Sequence, residues 1–465
     1  MQFNKLKILI FLLVVGSIFY RYYFPEMPLN IMKRIIFYIS LFVLLTLTFS
    51  GVPKKYFINK NWLLVFLFFL LFQTLHTFSY LLYENQLHTH AIIKSSISLV
   101  VFFLTVLFIY FLPMHLISKQ LKPSTMYEYF YKAISVSFWI VVSANTIQQL
   151  YLFFPSIFDP IITIFSHTIE VTWSAESGRE YSRFNWVDGS YIKSNFRLNG
   201  MSEEAAENVA LIFIGFLPFL FSRLITNLKY NLAFTRELIK IFISILIFII
   251  AKTSFGLLFA FISISILMFI LLKYKIRLFL LLHLFLFLFL PLIIIFIDLN
   301  TILFNITKLF DLSVTSTNSR LAVTITLAKI FIHNMFFGVG NGALDMFIIQ
   351  FLPPWTEGNH EISLWVESGH ISPLSILLAH LATYGLFGVS IFIVFFYTIY
   401  KKIKIHYKSS ASYYSSQLYS SYSFFILFMF LAMFFHIAWY KSIYMFIASL
   451  FLVLAINTTE RILKK

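Results

Sequence analysis

The sequence predicts an all-α, polytopic integral membrane protein of about 12 transmembrane helices, with two large external loops containing amphipathic helices. Three observations predict it. Of 465 residues, 60% are hydrophobic and only 12% charged, with 60 Phe and a mean hydropathy of +0.86. A soluble domain is about 45–50% apolar and about 25% charged. Apolar runs near the roughly 20 residues needed to cross hydrocarbon recur along the whole chain. Lys and Arg gather on alternate connections between those runs. The composition is too apolar for disorder. With no cysteine, disulfides, thiolate metal sites and cysteine nucleophiles are excluded at once.

The runs, in order, are 8–24, 35–52, 62–83, 97–118, 133–155, 205–222, 238–252, 255–272, 278–298, 374–400, 418–440 and 443–459. Lys5 and Lys7 precede the first, as in a signal peptide, but no small-residue cleavage site follows it. Tyr20-Arg21-Tyr22-Tyr23 follows instead, an aromatic and basic membrane border, so a retained helix is expected. The seventh and eighth runs read as two spans joined by a very tight turn at Lys252-Thr253-Ser254. Ser409–Ser421, rich in Ser and Tyr, reads as a plain linker before the eleventh run.

Charge sets the orientation. With the N-terminus inside, the segments 1–7, 53–61, 119–132, 223–240, 273–277, 401–417 and 460–465 are cytoplasmic. They hold 22 of the 35 Lys and Arg, but only Glu128, Glu237 and Glu460 of the 19 acids. That bias obeys the positive-inside rule and puts both ends of the chain in the cytoplasm. The net charge of +16 is therefore a topology signal and an attraction to anionic lipid, and nucleic acid is not an expected partner.

The chain reads as a single polytopic domain over 1–465, with long external loops at 156–204 and 299–373. Long loops are usually functional or disordered. These contain Trp173, Trp186, Trp355 and Trp365 among many apolar residues, so they are expected to fold onto the outer membrane surface. Within 319–336, Leu321, Ile325, Ala328 and Ile332 share one helical face, the pattern of an amphipathic helix, while Arg320, Thr324 and Thr326 lie off it.

Three constellations carry candidate chemistry. The first runs from Phe196 to Glu204 (FRLNGMSEE) at the outer entrance of the sixth run. Here Arg197 is suited to bidentate pairing with phosphate, or to pairing with Glu203 or Glu207. The second opens at Thr317-Asn318-Ser319-Arg320 and ends at Phe337-Gly338-Val339-Gly340-Asn341-Gly342. No strand precedes these glycines and no Lys-Ser/Thr follows, so they read as a turn that lets backbones pack closely, not as a phosphate loop. Arg320 near a helix start favours an anion. The third contains Glu357, His360 and Glu361, then Glu367 and His370, and runs into the span that continues to Gly388. His and Glu close together offer a general base for a hydroxyl. No HExxH is present, and His360 and His370 are read on an irregular loop, so no metal site is expected. His76, His115, His283, His380 and His436 read as polar contacts within the bundle.

Together these blocks resemble the O-antigen polymerase and ligase superfamily of bacterial envelope enzymes. The likeness rests on Arg197, Gly200 and Glu203 before a span, then on Ser319 and Arg320 in a helix leading to Gly338 and Gly340. It closes on a span entered through Ser372 to Gly388 (SPLSILLAHLATYGLFG). The turn at Lys252-Thr253-Ser254-Phe255-Gly256 is similar to the family's short Ser-Arg-Gly turn, with Phe255 in place of the arginine. The resemblance implies two periplasmic loops and an inner-membrane location. It implies transfer from undecaprenyl-diphosphate-linked oligosaccharide, without a metal, nucleotide sugar or other cofactor. A flippase and a chain-length regulator of the same pathway would be partners, beside membrane lipid. Arg197 and Arg320 map onto the family's diphosphate-binding arginines, with Glu203 and His360 beside them as substrate-binding candidates. Family ligases carry a His, then Asn, Ser or Gln, then nine residues before Gly-x-x-Gly. Here Ser375 holds the second position but Leu374 replaces the His, and Val389 and Ser390 stand where ligases have paired threonines. The expectation is therefore a repeat-unit polymerase, with His370 as base and Glu367 in reserve. A ligase or other oligosaccharyltransferase is the alternative, and a lipid-linked oligosaccharide flippase the alternative from another class.

Overall fold

A computed structural model describes residues 2–18, 60–83, 103–168, 190–202, 204–281, 315–340, 342–368, 375–410, 412–435 and 442–462, with isolated positions at 93, 97, 100, 101 and 371. All regular structure among them is helical. Six helices are long and apolar enough to cross a membrane. They are α3 (Phe103–Gln120), α4 (Pro123–Phe153), α7 (Ala205–Lys229), α9 (Ser254–Tyr274), α13 (Ile376–Ser410) and α14 (Tyr413–Met433). The other helices are α1 (Gln2–Ile18), α2 (Lys60–Tyr83), α5 (Pro155–Thr168), α6 (Tyr191–Asn195), α8 (Thr235–Ile250), α10 (Thr315–His333), α11 (Leu344–Phe351), α12 (His360–Ser368) and α15 (Ser442–Ile462). The chain is thus a multi-pass membrane protein by length and composition, and six of its helices qualify as spans among the described residues, where twelve are expected over the whole chain. The run at 238–252 appears as α8, only 16 residues long. The runs at 35–52 and most of 278–298 lie outside the described residues.

The central helix is α7. Phe213 stacks between Phe259 of α9 at 4.0 Å and Phe428 of α14 at 4.3 Å, while Phe219 meets Phe130 of α4 at 5.2 Å and Phe451 of α15 at 5.8 Å. Each such pair adds about 0.5–1.5 kcal/mol beyond burial. Two π-helical turns, Val106–Phe111 and Leu211–Phe216, each stand just before a proline, Pro113 or Pro218. A proline lacks its N–H and its ring clashes with the carbonyl four residues back, and the widened turn relieves both.

Charge ends an apolar run without ending a helix. Segments 119–132, 223–240 and 401–417, expected as cytoplasmic connections, are largely helical. There Arg223 of α7 pairs with Glu128 of α4 at 2.7 Å, and its guanidinium lies over the Tyr131 ring at 4.7 Å. The Ser/Tyr-rich stretch 409–421 is not a linker. The Ser412 hydroxyl caps α14 by accepting the N–H of Ser415 at 3.2 Å, and Ser415, Ser416 and Ser421 are buried. The Tyr127 hydroxyl meets Ser421 at 2.5 Å, and Ser222 donates to the Gln417 carbonyl at 2.7 Å. Small serines bond back to their own helix and let neighbours approach closely, which composition alone reads as loop. The tight turn at 252–254 is as expected: Lys252 adopts φ 53° and the Thr253 hydroxyl caps α9 by accepting the N–H of Gly256 at 2.9 Å.

The apolar face read for α10 is not the face that packs inside the protein. Ala322, Val323, Leu327 and Ile330 are its buried apolar side chains, with Ser319 and Thr326 beside them, whereas Leu321 and Ile332 are exposed. Helix α10 is apolar on both sides, so its sequence carries no directional signal. Packing against α11 and α13 selects the side opposite to the one whose apolar residues align most regularly.

Candidate functional site

The first constellation is built by α4 reaching toward residues 196–202. Asn145 and Gln148, one helical turn apart and buried, face this segment. The Gln148 amide accepts the N–H of Gly200 at 2.8 Å and donates to the Gly200 carbonyl at 3.1 Å and to Asn199 Oδ1 at 2.7 Å. Asn208 of α7 donates to Asn145 Oδ1 at 2.7 Å and accepts from Asn145 Nδ2 at 3.3 Å. Gly200 has φ +55°, and a Cβ there would lie 2.5 Å from Asn208 Oδ1, so close approach and backbone conformation both demand glycine. Lys193 of α6, 6% exposed, ties this segment to α5 through Asp159 at 2.7 Å and Thr163 at 2.8 Å.

Arg197 is half-buried on this anchored segment, and its guanidinium donates to the Tyr191 hydroxyl. Burial pushes the Tyr191 phenol above its ordinary value and the Glu204 carboxylate adds to the rise, which Arg197 opposes. Glu203 lies outside the described residues.

The second and third constellations meet. Asn359 caps α12 by accepting the N–H groups of Glu361 at 3.0 Å and Ile362 at 3.2 Å, and donates to Asn318 of α10 at 2.9 Å. Ser319 donates to Glu361 Oε2 at 2.5 Å. These bonds hold the starts of α10 and α12 together. Arg320 and His360, each the chain neighbour of a bonded residue, are exposed. His360 is the first residue of α12, not part of an irregular loop as expected. Glu367 is exposed two turns further on the same face, about 10 Å along the axis at ~1.5 Å per residue. His370 lies outside the described residues. The hydrogen bonds that hold Arg197 are built on α4, α6 and α7, whereas those beside Arg320 are built on α10 and α12.

Removing the Glu361 carboxylate takes away the acceptor that ties the buried Ser319 hydroxyl of α10 to α12, and a lost hydrogen bond to a charged group costs about 1.5–3 kcal/mol. Glu361→Ala is expected to lower the melting temperature, while Glu361→Gln, which keeps an acceptor, recovers most of it. Equal melting of wild type and the Ala variant contradicts this assignment.

The third constellation continues into a broken helix. At Gly385 (φ 63°, ψ −171°) α13 leaves helical geometry. The freed carbonyls of Ala382 and Thr383 accept the N–H groups of Val339 and Gly340, both at 2.9 Å. The N–H groups of Leu386 and Phe387 donate to the carbonyls of Met335 and Phe336 at 2.8 and 2.9 Å. These four backbone groups beside the break thus find partners in 335–340, the kind of pairing that backbone at membrane depth requires. From α2, His76 Nε2 donates to the Gly338 carbonyl at 2.8 Å, with Phe72 stacked on its ring at 6.0 Å. His76 is therefore a polar contact, as expected. His380 rests 5.8 Å from the Tyr384 ring, and His115 stacks on Phe111. His283 and His436 lie outside the described residues.

Sequence reasoning missed the amides. Asn145, Gln148 and Asn208 are polar residues inside apolar runs, and that is the signal that finds them. Gln73 of α2 is another: it is fully buried, one turn before Thr77, and its amide atoms have no hydrogen-bond partner among the described residues. Among the described residues no three His, Asp or Glu side chains gather in a way that holds a metal ion. Compared with family models, curated proteins and solved structures, the chain matches none.

Proposed function

We propose that this multi-pass protein is a glycosyltransferase that joins undecaprenyl-diphosphate-linked oligosaccharide repeat units at the periplasmic face of a bacterial inner membrane. An acceptor hydroxyl attacks the anomeric carbon of the donor. The bond from that carbon to the lipid diphosphate breaks, and the hydroxyl proton passes to a base, His370 or Glu367. Arg197 and Arg320 are permanent cations that hold the diphosphate and stabilise the charge growing on it as it leaves. Glu203 and His360 contact the glycan. A flippase supplies the repeat units from the cytoplasmic side, and a chain-length regulator acts on the product.

One observation carries this reading. The glycine segment that ends the Arg320 block and the span that follows His370, separate marks of the resemblance, are interlocked by backbone hydrogen bonds across the break at Gly385. Arg320, exposed next to the Ser319–Glu361 tie, opens the helix that leads into that joint.

The same break favours a second reading, a lipid-linked oligosaccharide transporter, because transporters place substrate sites at discontinuous helices. One experiment separates them: the glycan profile of a host lacking the protein, complemented with wild type or Arg320→Ala. A polymerase extends single repeat units to a ladder, and Arg320→Ala lowers extension about 10²–10³-fold, the usual loss for one transition-state donor. A bare core with long lipid-linked chains accumulating means a ligase. Repeat units held only on the cytoplasmic side mean a transporter.

A further inference from the structure

A groove of about 460 Å³ runs between α7, α9 and α14, walled by Ile225, Ile266, Phe269, Ile270 and Phe424. Lys273 and Tyr274, the last residues of α9, close one end of it. Its open side continues into the outward face of α9, where Phe261 is 69% and Phe269 68% exposed. Since α9 is long and apolar enough to span a membrane, this face meets acyl chains. Walls of this kind give water no hydrogen-bond partners, so an apolar chain fills the groove in preference to water.

The end of the groove has a different chemistry. Lys273, Lys275 and Arg277 are exposed and fall within five residues. The sequence has no acidic residue between Glu237 and Asp298. Lys273 Nζ lies 5.4 Å from the centroid of the Tyr274 ring, which leaves the ammonium at the aromatic border where headgroups sit. Basic pockets between spans are binding sites for anionic headgroups.

We infer that this groove is a binding site for one anionic phospholipid, with an acyl chain between α7, α9 and α14 and the headgroup phosphate on Lys273, the cation in the groove lining, near Lys275 and Arg277 in the chain. The site lies on other helices than the Arg320 cluster, and it holds whichever reaction the protein performs.

The test uses the full chain in nanodiscs containing equal phosphatidylglycerol and phosphatidylcholine of matched acyl chains, released for native mass spectrometry. Wild type is expected to retain one phosphatidylglycerol with about fivefold preference, the factor one basic contact at an anionic membrane surface supplies. Lys273→Ala loses the preference. Ser265→Trp, from the exposed Ser265 on the groove wall, fills the groove and loses the lipid. Equal retention of the two lipids by wild type overturns the inference. So does undiminished phosphatidylglycerol on Ser265→Trp, displacement by polyprenyl phosphate at lower concentration, or a second copy of the chain in place of lipid. Lys273 is exposed, so its truncation leaves the packing intact and keeps the test decisive if the tryptophan variant does not fold.

Discussion

Gly385→Ala is expected to destabilise the protein by about 3 kcal/mol or more and to break the joint between α13 and residues 335–340. The backbone there combines φ 63° with ψ −171°, a region essentially restricted to glycine and costing other residues about 1–3 kcal/mol. A Cβ would also drive into the Phe336 carbonyl group, whose oxygen accepts the N–H of Phe387. Backbone cannot give way there without losing the hydrogen bonds that satisfy the break. Gly358→Ala is the internal comparison, because Gly358 has φ +83° but open space where its Cβ would go. That variant bears conformational strain alone, about 1 kcal/mol. Thermal melts in detergent measure both. If Gly385→Ala melts no lower than Gly358→Ala, the interlock contributes no stability and the reading of 335–340 as a fixed platform fails.

The second large effect falls on Gln148. Its replacement by Leu removes the acceptor of the buried Gly200 N–H and one donor to Asn199 Oδ1. A buried donor that loses its acceptor costs about 1–3 kcal/mol, and groups in one network do not add independently. The segment at 196–202 is expected to detach locally while the bundle stays folded, since the aromatic core around Phe213 is elsewhere. Trypsin reads this directly: the wild-type chain is protected at Arg197, and Gln148→Leu is cleaved there. Under the proposed function the variant also loses the glycan ladder, though Arg197 itself is unchanged. Equal protection in both proteins refutes the anchoring role.

The parts legible in sequence share one property: their cause is local. A long apolar run becomes a helix because hydrocarbon offers backbone groups no other partners, and α4, α7, α9, α13 and α14 follow. The turn at 252–254 shows in its short polar interruption, and the glycines at 338 and 340 show as a place where backbones meet. The Ser/Tyr stretch misled because serine favours loops in water but helix contacts in an apolar bundle. Twelve spans were expected because each run was weighed by composition, yet α8 is too short to qualify among the described residues.

By itself, then, the sequence determined that this is a helical membrane protein, and which glycines and arginines lie near its helix ends. Only the tertiary structure decided which side of α10 is buried, that Gln148 holds Gly200, that Glu361 holds Ser319, and that α13 breaks over the Phe336 carbonyl. The physical reason is that a helix apolar on every side carries no preferred direction. A buried amide or a broken backbone is tolerable only beside a partner distant in the chain, and that partner's position comes from packing.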